Sequence, residues 1–82
     1  MSKNIEILII DDEKDICEQI SGLLNDNSYS TITAHNSDDA LEKFKYYKPK
    51  LVILDIWLNN SKLDGFKALE EIKVLNDDVP II

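Results

Sequence analysis

Ile5-Glu6-Ile7-Leu8-Ile9-Ile10-Asp11-Asp12-Glu13 is the stretch that decides the fold. A nearly continuous apolar run suits a strand covered on both faces, as in a parallel sheet. Three acids end it. Leu51-Val52-Ile53-Leu54-Asp55 repeats the pattern, again closing on an acid. Between the two lie a helix, a strand and a second helix. Ile16, Ile20, Leu23 and Leu24 recur at i, i+4, i+7 and i+8, the stripe of an amphipathic helix. Asn25-Asp26-Asn27-Ser28 is turn chemistry, and Tyr29 to Ala34, rich in Tyr, Thr and Ile, reads as a second strand. Ser37 is the expected N-cap of the next helix, with Asp38 and Asp39 near the positive end of its dipole. Ala40, Leu41, Phe44 and Tyr47 form its stripe, and Pro49 marks its end.

Beyond Asp55, residues 58–65 read as a polar loop closing on Asp64-Gly65, where a glycine suits a tight turn with positive φ. Phe66, Leu69, Ile72 and Leu75 give a third helix face. Asn76-Asp77-Asp78 is a turn, and Val79 to Ile82 begins a fourth strand. The order is βαβαβαβ. Strands alternating with helices across short turns imply an α/β fold with a doubly wound parallel sheet, and right-handed crossovers restrict its winding.

The chain has 82 residues, enough for one small domain of modest stability. With 44% apolar and 30% charged residues it is globular rather than disordered. No apolar run approaches the ~18 residues of a membrane span, and no signal pattern opens the chain. The net charge of −7, with nine lysines and no arginine, offers no basic face for nucleic acid. Lysines 43, 45, 48 and 50 follow Asp38, Asp39 and Glu42 and read as a solvated helix face. The single cysteine, Cys17, argues for a reducing cytoplasmic setting, and its spacing from Ile16, Ile20 and Leu24 makes it a core thiol.

Ligands of open α/β sheets bind beyond the carboxyl ends of the strands, where the winding reverses. If the first and third strands are neighbours, Asp11, Asp12 and Asp55 converge there. Three carboxylates so close raise one another's proton affinity unless a cation joins them. Mg²⁺ suits the place: it is hard, prefers oxygen, takes one or two carboxylates and keeps room for waters and a phosphate oxygen. A carboxylate beside such an ion can accept a phosphoryl group. The competing reading is that acids after strands merely form turns and cap helices. It suits either cluster alone. Two clusters, each directly after an apolar strand and two βα units apart, favour a site. Glu13 and Asp15 read as first-turn acids of the helix.

Ile7-Leu8-Ile9-Ile10-Asp11-Asp12-Glu13, Leu51-Val52-Ile53-Leu54-Asp55 and Asp64-Gly65, in this order and spacing, resemble a response-regulator receiver domain of two-component systems, a flavodoxin-like fold. The resemblance implies Asp55 as phosphoacceptor, Asp12 as a direct Mg²⁺ ligand, Asp11 as a ligand mainly through water, and the backbone carbonyl of Trp57 as a further ligand. It implies a sensor histidine kinase as partner and a cytoplasmic phosphorelay that controls a transcription-regulatory output. Ile56 to Leu63 lacks the family's usual Met-Pro segment and is longer. This loop, Asp-Ile-Trp-Leu to Leu-Asp-Gly, is similar to the NtrX-type regulators of nitrogen-related and redox-related signalling. Lys62 reads as a solvated loop lysine rather than a phosphate ligand.

The resemblance covers residues 1–82 yet only the front part of a receiver, up to the start of the fourth strand. The family's switch Ser/Thr and phosphate-binding Lys follow the fourth and fifth strands, and no residue here matches them. Weak Mg²⁺ binding, slow or absent phosphorylation and no normal switching are therefore expected of the chain as written. A bare sheet face and an open edge at Val79, Ile81 and Ile82 are expected to favour a homodimer. Two other classes remain beside the receiver. One is an oligomerisation fragment with a degenerate site. The other is a Mg²⁺-dependent phosphohydrolase with an aspartate nucleophile, disfavoured because Trp57 stands where such enzymes place a second acid.

Overall fold

The computed structural model describes residues 5–55 and 62–82, the second stretch with side chains from Gly65 onward. Three strands, β1 (Ile7–Ile10), β2 (Thr31–Ala34) and β3 (Leu51–Leu54), alternate with three helices, α1 (Lys14–Asp26), α2 (Ser37–Tyr47) and α3 (Lys62–Leu75). The strands are parallel, in the order β2-β1-β3. Residues 80–82 extend the sheet beyond β3. Val52 N–H donates to the Pro80 carbonyl at 3.0 Å, and Ile82 N–H to the Val52 carbonyl at 2.9 Å. A parallel bridge joins Val52 to Ile81, where the fourth strand is expected. The result is the doubly wound, flavodoxin-like arrangement.

The apolar runs are explained by the two layers they serve. Successive side chains of a strand point to opposite faces. Leu8, Ile10 and Val52 pack with Ala40 and Phe44 of α2 and Ala68 and Ile72 of α3. Ile7 and Ile9 face the other way, onto Cys17 of α1, with Ile20, Leu24, Leu51 and Ile53 beside them. Every residue of β1 is therefore buried. Cys17, only 1% exposed, is the core thiol its spacing implies.

Several local expectations shift. Strand β2 starts at Thr31, because Tyr29 still belongs to the end of α1: its N–H donates to the Leu24 carbonyl at 3.0 Å. The cap of α2 is Asn36, not Ser37. Its Oδ1 accepts from the Asp39 N–H at 2.8 Å, and Ser37 becomes the first helical residue. Asn and Ser cap almost equally well, so preference alone does not separate neighbours. Helix α2 ends at Lys48, which is left-handed at φ 50°, ahead of Pro49. Lys43 is not simply solvated: its Nζ donates to the Thr33 carbonyl at 2.6 Å and pairs with Asp39 at 3.1 Å.

Helix α3 departs furthest. Lys62 and Asp64-Gly65 lie inside it, not in a loop, and Gly65 is a buried helical residue without positive φ. The buried face is Gly65, Ala68 and Ile72, while Phe66 and Leu75 are 48% and 45% exposed. Small residues at i and i+3 face inward, with the helix packed mainly on α2, and the larger apolar residues fall off the contact. On α1, Ile16 and Leu23 likewise lie at the margin of the stripe and are exposed.

Candidate functional site

The site is built by strand register. Ile10 pairs with Ala34 on one side and Leu54 on the other, so the next residues, His35, Asp11 and Asp55, follow the ends of three adjacent strands. Two backbone bonds extend the ladders by one step: Asp11 N–H to the Ala34 carbonyl at 3.0 Å, and Asp55 N–H to the Ile10 carbonyl at 2.9 Å. The winding reverses at β1, with α1 on one face and α2 on the other. The crevice at its carboxyl end is where ligands of such sheets bind.

Asp11, Asp12 and Asp55 converge there. One carboxylate oxygen from each lies within 4.8 Å of the others. An octahedral ion with oxygens at 2.0–2.1 Å places neighbouring ligands about 2.9 Å apart and opposite ones about 4.2 Å apart. Small side-chain rotations bring the three oxygens into that range. The donor set, all carboxylate oxygen on an acidic chain, fits a hard divalent cation. Among the described residues this is the one such cluster.

Asp11 is held most firmly. It is 9% exposed, and its Oδ1 accepts from the Glu13 N–H at 2.9 Å. Burial raises its carboxyl above the usual value, the charges of Asp55, Asp12 and Glu13 add to the rise, and the Glu13 hydrogen bond opposes it. This is the expected frustration of a carboxylate among carboxylates, which a cation relieves. Asp12 and Asp55 are half-buried, and each brings a carboxylate oxygen to the cluster. Beside the acids a cleft of about 450 Å³ runs along α1, rimmed by Asp11, Glu13 and Asp55 and walled by Ile16, Ile20 and Ile53. Glu13 is the N-cap residue of α1 but makes no side-chain cap bond, and Asp15 lies in the first turn. Trp57 lies outside the described residues, as do the side chains of Lys62 and Asp64.

Sequence reasoning passed over His35. Its Nδ1 lies 2.9 Å from the Asp11 backbone carbonyl, and the Cys17 Sγ reaches the same oxygen at 3.4 Å. The thiol is pushed up to about 11 by burial and by the negative charge of Asp11, so it keeps its proton at neutral pH. The signal was present: His35 follows the second strand as Asp11 and Asp55 follow the first and third.

Residues 7–82 match the response regulator receiver domain family. The chain belongs to that family. It is a signalling module of two-component systems rather than a classical enzyme. It is 44% identical over 77 residues to the nitrogen assimilation regulatory protein NtrX of Azorhizobium caulinodans, covering 94% of this chain and 17% of that protein. The crystal structure of the receiver domain of NtrX from Brucella abortus superposes with a TM-score of 0.85 at 43% identity, covering 93% of this chain and 63% of that one. A response regulator from Burkholderia pseudomallei, crystallised with a phosphorylated aspartic acid, a calcium ion and citrate, superposes with a TM-score of 0.84 at 26% identity, covering 93% and 44%. The receiver is thus similar to the NtrX type, and the chain spans about a sixth of the full NtrX relative. No described helix is long and apolar enough to cross a membrane.

Proposed function

We propose that Asp55 receives a phosphoryl group from a sensor histidine kinase, at a Mg²⁺ site made by Asp11, Asp12, Asp55 and the backbone carbonyl of Trp57. The observation that carries this reading is the meeting of three carboxylates at the ends of β1 and β3. The B. pseudomallei regulator, which holds a phosphorylated aspartic acid and a cation on the same fold, supports it. A carboxylate oxygen of Asp55 bonds to phosphorus as the bond from phosphorus to the donor imidazole nitrogen breaks, and the released imidazole takes a proton from solvent. Asp12 is a direct cation ligand, and Asp11 acts mainly through water. Mg²⁺, when bound, offsets the charge on the transferring oxygens. The Asp55 N–H bond to Ile10 holds the nucleophile at the strand end, where its side chain meets the crevice.

By likeness to NtrX, the output served is nitrogen-related transcription regulation in the cytoplasm, carried by parts of such proteins outside this chain. The segment itself does not bind nucleic acid, as its charge of −7 indicates.

The central test is incubation with phosphoramidate and Mg²⁺, followed by intact mass and peptide mapping. The expected result is slow, sub-stoichiometric addition of a phosphoryl group, confined to Asp55 and absent in EDTA and in Asp55→Asn. Phosphate on another residue, or on Asp55→Asn at the same rate, overturns the assignment.

A further inference from the structure

We propose that His35 is a positioning residue for the acidic site: with Cys17 it clamps the Asp11 backbone carbonyl and so sets how Asp11 and Asp12 face a divalent cation. The inference rests on the reading of those acids as cation ligands and assigns a role to two residues outside the ligand set. A carbonyl oxygen only accepts hydrogen bonds. The 2.9 Å approach of His35 Nδ1 therefore fixes the ring tautomer, with the proton on Nδ1. The Cys17 S–H donates to the same oxygen at 3.4 Å, and Sγ and Nδ1 lie 3.8 Å apart, so the two donors share its two lone pairs. Cys17 comes from the first turn of α1 and His35 from the end of β2. The clamp therefore joins helix, central strand and edge strand at one atom.

The consequence is geometric. The Asp11 N–H is held by Ala34, its Oδ1 by the Glu13 N–H, and its carbonyl by His35 and Cys17. The peptide plane between Asp11 and Asp12 is thereby restrained through the Asp11 carbonyl. That plane places the Asp12 Cα, from which its φ and χ1 carry the carboxylate to the cluster. Groups that orient metal ligands from behind typically change affinity by 10–100-fold when removed. A backbone clamp acts less directly, so the lower end applies.

The test uses Mn²⁺ alone as probe, with affinity read by electron paramagnetic resonance and folding read separately by thermal melting in EDTA. His35→Phe keeps the ring volume and removes the donor. His35→Asn keeps an N–H near the Nδ1 position. Expected are about tenfold weaker Mn²⁺ binding in H35F and recovery to within about twofold in H35N, with H35F still melting cooperatively in EDTA. A purely structural histidine would lower the melting temperature and leave affinity in step with the folded fraction. H35F binding as the wild type does, or H35N as weak as H35F, overturns the inference. If H35F does not fold, Cys17→Ala against Cys17→Ser makes the same comparison on the second donor, and equal affinities overturn it. A wild-type chain that binds no Mn²⁺ removes the cation reading itself, a failure distinct from normal wild-type binding with an inert H35F.

Discussion

The two faces of the sheet are made from the same three strands and have different tasks. Under α2 and α3, Leu8, Ile10, Val52, Ala40, Phe44, Ala68 and Ile72 form a closed apolar layer, sealed at its margin by Leu41, Val79 and Ile81. Under α1 the buried set is only Ile7, Ile9 and Cys17, and the surrounding Ile20, Leu24, Leu51 and Ile53 are half-covered. The open cleft along α1 runs up to Asp11 and Asp55. One face therefore supplies most of the cohesion. The other is more open, with a cleft along α1 that reaches Asp11 and Asp55.

The largest expected effect tests that division. Phe44→Ala on the closed face should cost about 3–5 kcal/mol, and Ile20→Ala on the α1 face about 1–2 kcal/mol, because the transfer and cavity terms both shrink with prior exposure. An 82-residue domain has a total stability on the order of 4–12 kcal/mol, so F44A should lose a large share of it. Urea titrations followed by circular dichroism measure both. Equal losses would dissolve the contrast between the faces.

Next in size is linkage to the cation. At Mg²⁺ ten times above its dissociation constant the wild type should gain about 1.4 kcal/mol, and Asp12→Asn much less. Melting with and without Mg²⁺ reads the difference, and equal gains would place the ion elsewhere. Asp11 then separates the cost of the site from its use. Its carboxyl is raised by burial and neighbouring charge, so the folded state binds that proton more tightly than the unfolded chain. Between the ordinary carboxylate value and its folded value, stability contributed by this group falls as pH rises, and above the folded value the penalty is complete. Asp11→Asn should therefore stabilise the protein in EDTA at pH 7, because it removes a charge that burial first and the neighbouring carboxylates next disfavour. The advantage should shrink as pH falls through the folded value and vanish below the ordinary carboxylate value. A stability gain that does not change with pH would contradict the sign.

How much of this was legible in the sequence depends on whether a local signal had a rival. The strands around Ile7–Ile10 and Leu51–Leu54 had little competition: such runs suit a strand covered on both faces, as Ile7–Ile10 is, and the position of Asp11, Asp12 and Asp55 at their ends follows. The face of α3 had a rival. Phe66 and Leu75 look like core by hydropathy, yet Gly65 and Ala68 occupy the buried face, and Ile72 alone of the four expected residues is fully buried. The cap at Asn36 rather than Ser37 is a choice between near-equals, decided by which oxygen reaches the Asp39 N–H. His35 was missed because its position after the second strand, though visible, names no partner. Its meaning depends on the register that sets it beside Asp11.

The smallest expected effects probe whether α1 melts with the rest or opens by itself. Its C-terminal turn is a Schellman motif: Ser28 N–H bonds to the Asn25 carbonyl and Tyr29 N–H to the Leu24 carbonyl, both at 3.0 Å. That motif requires a left-handed residue, and Ser28 fills it at φ 71° with a side chain that disfavours the conformation. Six residues earlier Gly22 sits in the helix interior, where an added Cβ would meet nothing within 4 Å. The helix thus has a glycine where the backbone does not need one and lacks one where it does. Ser28→Gly and Gly22→Ala should each stabilise α1 by about 0.5–1 kcal/mol. If the faces unfold together, both variants raise the global melting temperature, by a few degrees in a domain this small. If the thinner α1 face opens first, amide exchange in α1 slows while protection of Leu8, Val52 and Ile72 stays unchanged. The first outcome makes the two faces one cooperative unit despite their unequal cores. The second would make α1 a separate unit able to move against the acidic site.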